Sequence, residues 1–165
     1  MEVYKMLPEG TLAELIEGSI YMSPSPNTNH QRITGKLYRL LSDFVEDNSL
    51  GEVFSPPYDV YLDEHSNAVQ PEVIFVGNKN KRIIKKDCIH GVPDLLIEGL
   101  SKGNKNHDTV RKKQLYEKFG VREYWIVDPE TKETMGYSLK NKIYIECGRY
   151  RGKIKSVLLD HEFNF

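Results

Sequence analysis

The 165-residue sequence has little of what marks secreted, membrane or zinc-binding proteins. It contains only two cysteines, Cys88 and Cys147, which are too few for a disulfide framework or a zinc finger and indicate reduced thiols in a cytoplasmic protein. No apolar run approaches the roughly 20 residues of a membrane helix, and the N-terminus has no signal-peptide pattern. Because no linker divides the chain, a single domain is expected over residues 1–165.

The sequence also has almost no net charge, with 23 Lys and Arg against 24 Asp and Glu. This total hides a division, since residues 1–78 carry 4 basic and 12 acidic residues whereas residues 79–165 carry 19 and 12. Such asymmetry is compatible with a basic binding surface and equally with ordinary surface variation. The neutral total therefore leaves nucleic acid open as a partner, but it argues against tight, indiscriminate coating of DNA.

Helical and extended patterns alternate along the chain, which is typical of an α/β fold. Short apolar runs flank Glu17-Gly18 and predict an N-terminal β-hairpin over 13–22. Apolar residues at three- and four-residue steps then predict an amphipathic helix that Asn27 or Thr28 caps and that ends near residue 46. Further strands are predicted within 52–76, 93–98, 123–129 and 137–159, with a second helix over 109–119.

Acidic residues on apolar strands mark a candidate site. Asp94 and Glu98 lie four residues apart, and because side chains alternate along a strand, both face the same side. Glu72 begins the neighbouring apolar segment and is placed to converge on them. Carboxylates on a core strand are costly unless they are paired or bind a cation, and three oxygen donors suit Mg²⁺.

A basic helix follows these acids. Lys112 and Tyr116 are four residues apart and therefore share one helix face. A lysine beside a carboxylate-bound metal is suited to polarise a phosphate and to activate water. Each residue also has a structural alternative, since Asp94 can be a turn residue that accepts backbone hydrogen bonds, Glu98 can face solvent, and Lys112 can belong to a solvated helix face.

Three blocks of the sequence resemble the Uma-type family of putative restriction endonucleases, long catalogued as a domain of unknown function. They are Gln-Pro-Glu-Val-Ile-Phe-Val at 70–76, Gly-Val-Pro-Asp-Leu-Leu-Ile-Glu at 91–98, and the stretch 116–129 with its Glu-Tyr-Trp-Ile-Val-Asp-Pro run. The likeness extends to 13–18 and to 24–30. This family is similar to the PD-(D/E)XK nuclease superfamily, so the resemblance implies a restriction endonuclease-like core with helices flanking a mixed central β-sheet. It further implies a Mg²⁺-dependent endodeoxyribonuclease, with Mn²⁺ able to substitute, that acts on DNA as a homodimer.

The resemblance assigns the metal-binding residues. Asp94 corresponds to the metal-binding Asp, and Glu98 corresponds to the acidic residue of the E-x-K half-motif. Glu72 stands where the family usually carries Asp after Gln-Pro, and the longer side chain keeps its capacity to bind metal. The implied catalytic set is these three acids together with Lys112.

The lysine of the E-x-K half-motif is missing, because Leu100 occupies its position. The resemblance implies that Lys112 on the following helix replaces it, with Tyr116 one turn later. Lys113 is the alternative if the helix register is shifted by one residue.

Weaker candidates for support or substrate binding are Glu17, Gln70 and His30, of which His30 is equally compatible with a role near the phosphate path and with a place at the helix N-terminus. Basic residues at 79–86 and 102–113 are expected to contact backbone phosphates. Two alternative functions remain open. One is a non-catalytic nucleic-acid-binding or scaffold protein on a nuclease fold, which the Glu72 variation and the missing lysine favour, and the other is an enzyme acting on a smaller phosphate ester.

Overall fold

The computed structural model of the protein describes residues 1–8, 10–101 and 107–165. Its helices are α1 (Glu2–Lys5), α2 (Thr28–Asp47) and α3 (Lys113–Phe119), with a 3₁₀ helix over Asn78–Ile83 and a π-helical segment over His107–Lys112 that leads directly into α3. Its strands are β1 (Ala13–Ile16), β2 (Ser19–Met22), β3 (Gly51–Phe54), β4 (Val60–Tyr61), β5 (Ala68–Val69), β6 (Val73–Gly77), β7 (Ile89–His90), β8 (Leu95–Gly99), β9 (Glu123–Val127), β10 (Glu133–Lys140), β11 (Ile143–Arg151), β12 (Lys153–Ser156) and β13 (His161–Asn164).

A mixed six-stranded sheet forms the centre of the fold, in the order β11-β10-β9-β8-β6-β3. The strands β8 and β9 run parallel, and the other neighbouring pairs are antiparallel. The central strands β6, β8 and β9 are apolar on both faces and almost completely buried. The prediction of an α/β fold with a mixed central sheet is confirmed.

Different layers cover the two faces of this sheet. Helix α2 and the β12–β13 ribbon pack on one face, with Leu37 and Phe163 among the buried residues. The other face packs against α3 and a second sheet of order β2-β1-β5-β4-β7. The side chains of Leu96 and Tyr116 meet in this second core, which therefore underlies the predicted basic helix.

The N-terminal hairpin and α2 form where the sequence predicts them. Glu17 and Gly18 connect β1 to β2 with φ angles of 49° and 79°, the conformation of a two-residue hairpin turn. Asn27 caps α2 by accepting a hydrogen bond from the His30 backbone N–H at 2.8 Å. His30 is thereby fixed in the first turn of α2, where its side chain is buried.

The two cysteines are free and partly buried. Burial raises the pKa of the Cys147 thiol to about 11 and also raises the pKa of Cys88. Both thiols are therefore mainly protonated at neutral pH.

Within the three described ranges, no helix combines the length and the apolar composition needed to traverse a bilayer.

Candidate active site

A buried lysine between two glutamates forms the centre of the candidate site. The Nζ atom of Lys112 lies 2.9 Å from Oε1 of Glu98 and 2.9 Å from Oε1 of Glu14. These three residues are only 3% to 4% exposed. Tyr116, one turn after Lys112, donates a 2.6 Å hydrogen bond to the same Glu98 oxygen. The structure therefore brings together Glu98, Lys112 and Tyr116 of the predicted residues and adds Glu14 to them.

Strand and helix periodicities explain this convergence. Glu98 lies two residues after Leu96 on β8, so both face the core beneath α3. Lys112 and Tyr116 reach down from one face of the helix. Burial, reinforced by the nearby Glu98 carboxylate, raises the pKa of Tyr116 well above its ordinary value. The phenol thus keeps its proton and acts as a hydrogen-bond donor to Glu98.

The helix register favours Lys112 over its neighbour. The ammonium of Lys113 lies 4.5 Å from the ring centroid of Tyr137, in a cation–π contact on another side of the helix. Of the two lysines proposed from the sequence, the structure places Lys112 beside Glu98 and Lys113 away from it.

Glu14 was not among the predicted site residues. It lies on β1 directly opposite Tyr21 of β2, and its Oε1 atom accepts a 2.9 Å hydrogen bond from the Gln70 backbone N–H. The sequence pattern pointed to Glu17 instead, which lies exposed in the hairpin turn. The acidic residue that the hairpin supplies to the site is therefore Glu14.

Glu72 lies beside Glu98 at the edge of the cluster. Strand β6 pairs antiparallel with β8, with Val73 opposite Ile97. Glu72 immediately precedes β6, which brings it near the Glu98 end of β8. The Glu72 side chain is 25% exposed, and its Oε1 atom lies 3.2 Å from Nε2 of His30. Glu72, which precedes β6, and Glu98 on the neighbouring strand β8 thus both face one cleft.

Gln70 connects the cluster to a second set of polar groups. Besides its backbone bond to Glu14, its side-chain amide donates to the Thr11 carbonyl at 3.2 Å and to Oδ1 of Asp59 at 2.8 Å. Because both the backbone and the side chain are held, Gln70 fixes the segment that leads to Glu72. The structure thus places Gln70, one of the weaker candidates from the sequence, next to the cluster.

His30 approaches Glu72 through space that a glycine leaves open. A Cβ atom on Gly99 would lie 2.7 Å from Nε2 of His30 and 3.1 Å from Cγ2 of Thr34. The residue after Glu98 must therefore be glycine if His30 is to keep this position.

Asp94 lies apart from the cluster, and its assignment as a metal ligand stays a prediction. Four residues of extended strand separate the two by about 13 Å. Oδ2 of Asp94 accepts hydrogen bonds from the Gly77 N–H at 2.8 Å and from Nδ2 of Asn80 at 3.2 Å, and Oδ1 lies 3.4 Å from Nη1 of Arg122. These contacts join the end of β6 to the start of β8, so Asp94 behaves as the turn residue of the structural alternative.

The predicted phosphate-contacting segments divide between the two ends of the central strands. The 3₁₀ helix Asn78–Ile83 follows the end of β6 that lies next to Asp94, so the basic residues at 79–86 lie away from Glu98. In the second basic segment, residues 102–106 lie outside the described part of the chain. Arg111 and Lys112 lie on the side of the glutamate cluster.

The cluster forms the floor of a cleft of about 560 Å³. Strand β2 and the residues 23–27 that follow it form the opposite wall. The functional side chains along the cleft are Glu14, His30, Gln70, Glu72, Glu98 and Lys112. A cleft of this size accommodates a group as large as a nucleotide.

The donors fit a metal site of two carboxylates rather than three. Among residues 1–8, 10–101 and 107–165, no three His, Cys, Asp or Glu side chains are arranged to hold a metal ion. Glu72 and Glu98 nevertheless line the same cleft as Lys112. Since Mg²⁺ commonly takes one or two protein carboxylates and completes its shell with water and phosphate oxygens, this pair suits it.

Comparison with known proteins identifies a solved structure of similar architecture. The chain resembles the crystal structure of a putative nuclease belonging to DUF820 from Anabaena variabilis ATCC 29413, with a TM-score of 0.71 and 19% identity over 88% of this chain and 81% of that chain. The likeness establishes the fold. The model of the Uma2 family, described as putative restriction endonuclease, matches residues 1–159, and the chain belongs to this family. No curated protein matches the sequence.

Proposed function

We propose that this protein is a Mg²⁺-dependent endonuclease that hydrolyses phosphodiester bonds of DNA and that accepts Mn²⁺ in place of Mg²⁺. The observation that carries the proposal is the buried Glu14–Lys112–Glu98 cluster with Glu72 beside it at the floor of a cleft. Burying such charges costs free energy that apolar residues would not require, which favours a functional reason for keeping them. Membership in a family of putative restriction endonucleases supports the same conclusion.

Each residue has a distinct role in this proposal. Glu72 and Glu98 would hold the metal, which when bound polarises the phosphate and acidifies a bound water molecule. Lys112 offers its ammonium to the negative charge that develops on the phosphate during hydrolysis. Glu14 and Tyr116 are positioning residues, since Glu14 holds Lys112 and Tyr116 orients the Glu98 carboxylate.

A non-catalytic nucleic-acid-binding or scaffold protein is the second candidate. One geometric observation favours it, because Lys112 is 2.9 Å from two carboxylates and already has strong partners before any substrate is bound. The replacement of the family's usual Asp by Glu72 points the same way. In this case the cluster would serve to hold the hairpin, β8 and α3 together.

Conversion of supercoiled plasmid to nicked and linear DNA tests the proposal. With Mg²⁺ or Mn²⁺ we expect cleavage by the wild type, and a loss on the order of 100-fold or more in Glu98→Gln, Glu72→Gln and Lys112→Met. Asp94→Asn is the matched carboxylate control on the same chain segment, and we expect it to retain cleavage.

Three results would contradict the proposal in different ways. A wild type that cleaves no DNA with either metal removes the catalytic claim. DNA binding that depends neither on metal nor on Glu98 supports the second candidate. Hydrolysis of nucleotides without cleavage of DNA indicates an enzyme for smaller phosphate esters.

We further propose a cytoplasmic homodimer. Ile143 and Ile145 on the edge strand β11 are 62% and 50% exposed, and an exposed apolar edge favours association. The two free cysteines accord with a reducing compartment. Sedimentation equilibrium checks the dimer, and a monomer at tens of micromolar protein would contradict it.

A further inference from the structure

An arginine is held at the mouth of the cleft, one residue before the buried lysine. The guanidinium carbon of Arg111 lies 5.0 Å from the ring centroid of Tyr21, and Nη1 of Arg111 donates a hydrogen bond to the Tyr21 hydroxyl. Arg111 is exposed, whereas Tyr21 lines the cleft together with Glu98 and Lys112. The guanidinium is therefore fixed at the edge of the candidate site.

The N-terminal hairpin holds the two consecutive cations with two side chains that face each other. Glu14 and Tyr21 are cross-strand partners on β1 and β2 and project from the same face of the hairpin. Glu14 contacts Lys112 at the buried floor, and Tyr21 contacts Arg111 at the exposed mouth. The hairpin thus fixes Lys112 where a phosphate would react. It fixes Arg111 where the nucleic-acid strand leading away from that phosphate would pass.

The partner of Arg111 differs from those of two other exposed arginines, Arg122 and Arg149. Arg122 and Arg149 each lie beside a carboxylate, at 3.4 Å from Asp94 and 3.1 Å from Glu146. Arg111 instead rests on an aromatic ring, which orients the guanidinium plane without neutralising its charge. An oriented, positively charged fork of N–H donors is suited to a phosphate.

We propose that Arg111 binds a backbone phosphate of the nucleic acid adjacent to the phosphate at the cluster, and that Tyr21 holds Arg111 in position. This inference rests on the proposed function and extends it, because it names a substrate-binding residue and the residue that orients it. The competing outcome is that the Arg111–Tyr21 pair only fastens the hairpin to the helix.

Binding of a fluorescein-labelled DNA duplex, followed by fluorescence anisotropy in EDTA, tests the proposal without metal-dependent cleavage. We expect Arg111→Gln to weaken binding about tenfold, the typical scale of one charge-assisted hydrogen-bonded contact. It should also reduce the slope of log K against log salt by about 0.9, the contribution of one phosphate contact. Arg111→Lys should retain the slope and lose only a few-fold in affinity. Arg149→Gln, an exposed arginine on β11, is the matched control and should bind like the wild type.

Equal affinity and equal salt slope for Arg111→Gln and the wild type would overturn the proposal and leave a structural contact. A wild type that binds no DNA in EDTA would overturn this proposal, whereas a wild type that cleaves no plasmid with Mg²⁺ or Mn²⁺ would overturn the proposed function, so the two failures are distinguishable. Thermal unfolding shows whether each variant is folded. If Arg111→Gln does not fold, DNA binding by Tyr21→Phe tests the proposal instead, because this variant keeps the aromatic ring and removes only the hydroxyl. A twofold or larger loss of affinity at unchanged stability supports the proposal, and unchanged affinity overturns it.

Discussion

Replacing Lys112 by methionine is expected to lower the free energy of unfolding by about 3–5 kcal/mol at neutral pH, the cost of removing one partner from a buried ion pair. The lysine is 4% exposed, and its ammonium lies 2.9 Å from Glu14 and from Glu98. Methionine nearly preserves the length of the side chain but leaves two buried carboxylates without their common cation.

Lys113→Met is the matched control, since Lys113 is the next residue and only partly buried. Its ammonium contacts the Tyr137 ring, and a cation–π contact at such a position contributes about 0.5–1 kcal/mol. Adding Glu14→Gln to Lys112→Met should recover part of the lost stability, because one of the two carboxylates that contact Lys112 loses its charge.

Urea unfolding at equilibrium measures these differences. Trp125 is the single tryptophan of the chain and is fully buried, so its fluorescence reports the loss of the core. Equal stabilities for the Lys112→Met and Lys113→Met variants would refute the buried Glu14–Lys112–Glu98 cluster. So would a double variant that is less stable than Lys112→Met alone.

Three further predictions concern local features of the fold. Gly99→Ala should displace His30 and lower stability by about 1–3 kcal/mol. Gly35→Ala in α2, where an added Cβ meets nothing within 4 Å, should be neutral or slightly stabilising. Equal melting temperatures for these two variants would contradict this. Burial acts to raise the pKa of Asp63, but hydrogen bonds from the backbone and from a neighbouring amide outweigh it and lower the pKa from 3.8 to about 2. A carboxyl group with a lowered pKa stabilises the fold above pH 4, and this contribution is lost as the pH falls towards 2. Between pH 4 and pH 2, Asp63→Asn should therefore lose less stability than the wild type, by up to about 1 kcal/mol after solvent screening. The same loss of stability in both proteins over this range would argue against it. Cys147, with a thiol pKa of about 11, should react with iodoacetamide at pH 8 much more slowly in the native protein than in urea, and rapid modification of the native protein would be inconsistent with this environment.

The local elements could be predicted from the sequence because they depend on neighbouring residues. The Glu17-Gly18 turn and the Asn27 cap lie where the pattern indicated. The four-residue spacing of Lys112 and Tyr116 likewise predicted that both side chains reach one point, and both contact Glu98.

The position of Asp94 relative to Glu98 could not be predicted, because strand alternation indicates a face of the strand but not which side chains lie close together along it. Asp94 and Glu98 are four residues apart and therefore face the same side of the strand, yet they lie at opposite ends of it. Asp94 accepts a hydrogen bond from Gly77 at the end of β6. The neighbour of Glu98 is decided by the pairing of β6 with β8, a contact between residues distant in sequence. This pairing brings Glu72, which precedes β6, near the Glu98 end of β8.

Glu14 could not be assigned from the sequence for a similar reason. Its partners, Lys112 and Gln70, lie 98 and 56 residues away in the chain, and contacts distant in sequence, such as the pairing of β1 with β5, bring them together. One signal was present, since Glu14 is a single charged residue within the apolar strand Ala13–Ile16, all of which is buried. A buried charge in such a strand needs a cation, and Lys112 supplies it.

Anomalous diffraction from a crystal soaked in Mn²⁺ tests the central claim most directly. The account predicts one strong peak between the carboxylates of Glu72 and Glu98, close to Lys112, and no peak at Asp94. Soaked crystals with no peak at Glu72 and Glu98, or with the metal bound at Asp94, would contradict it.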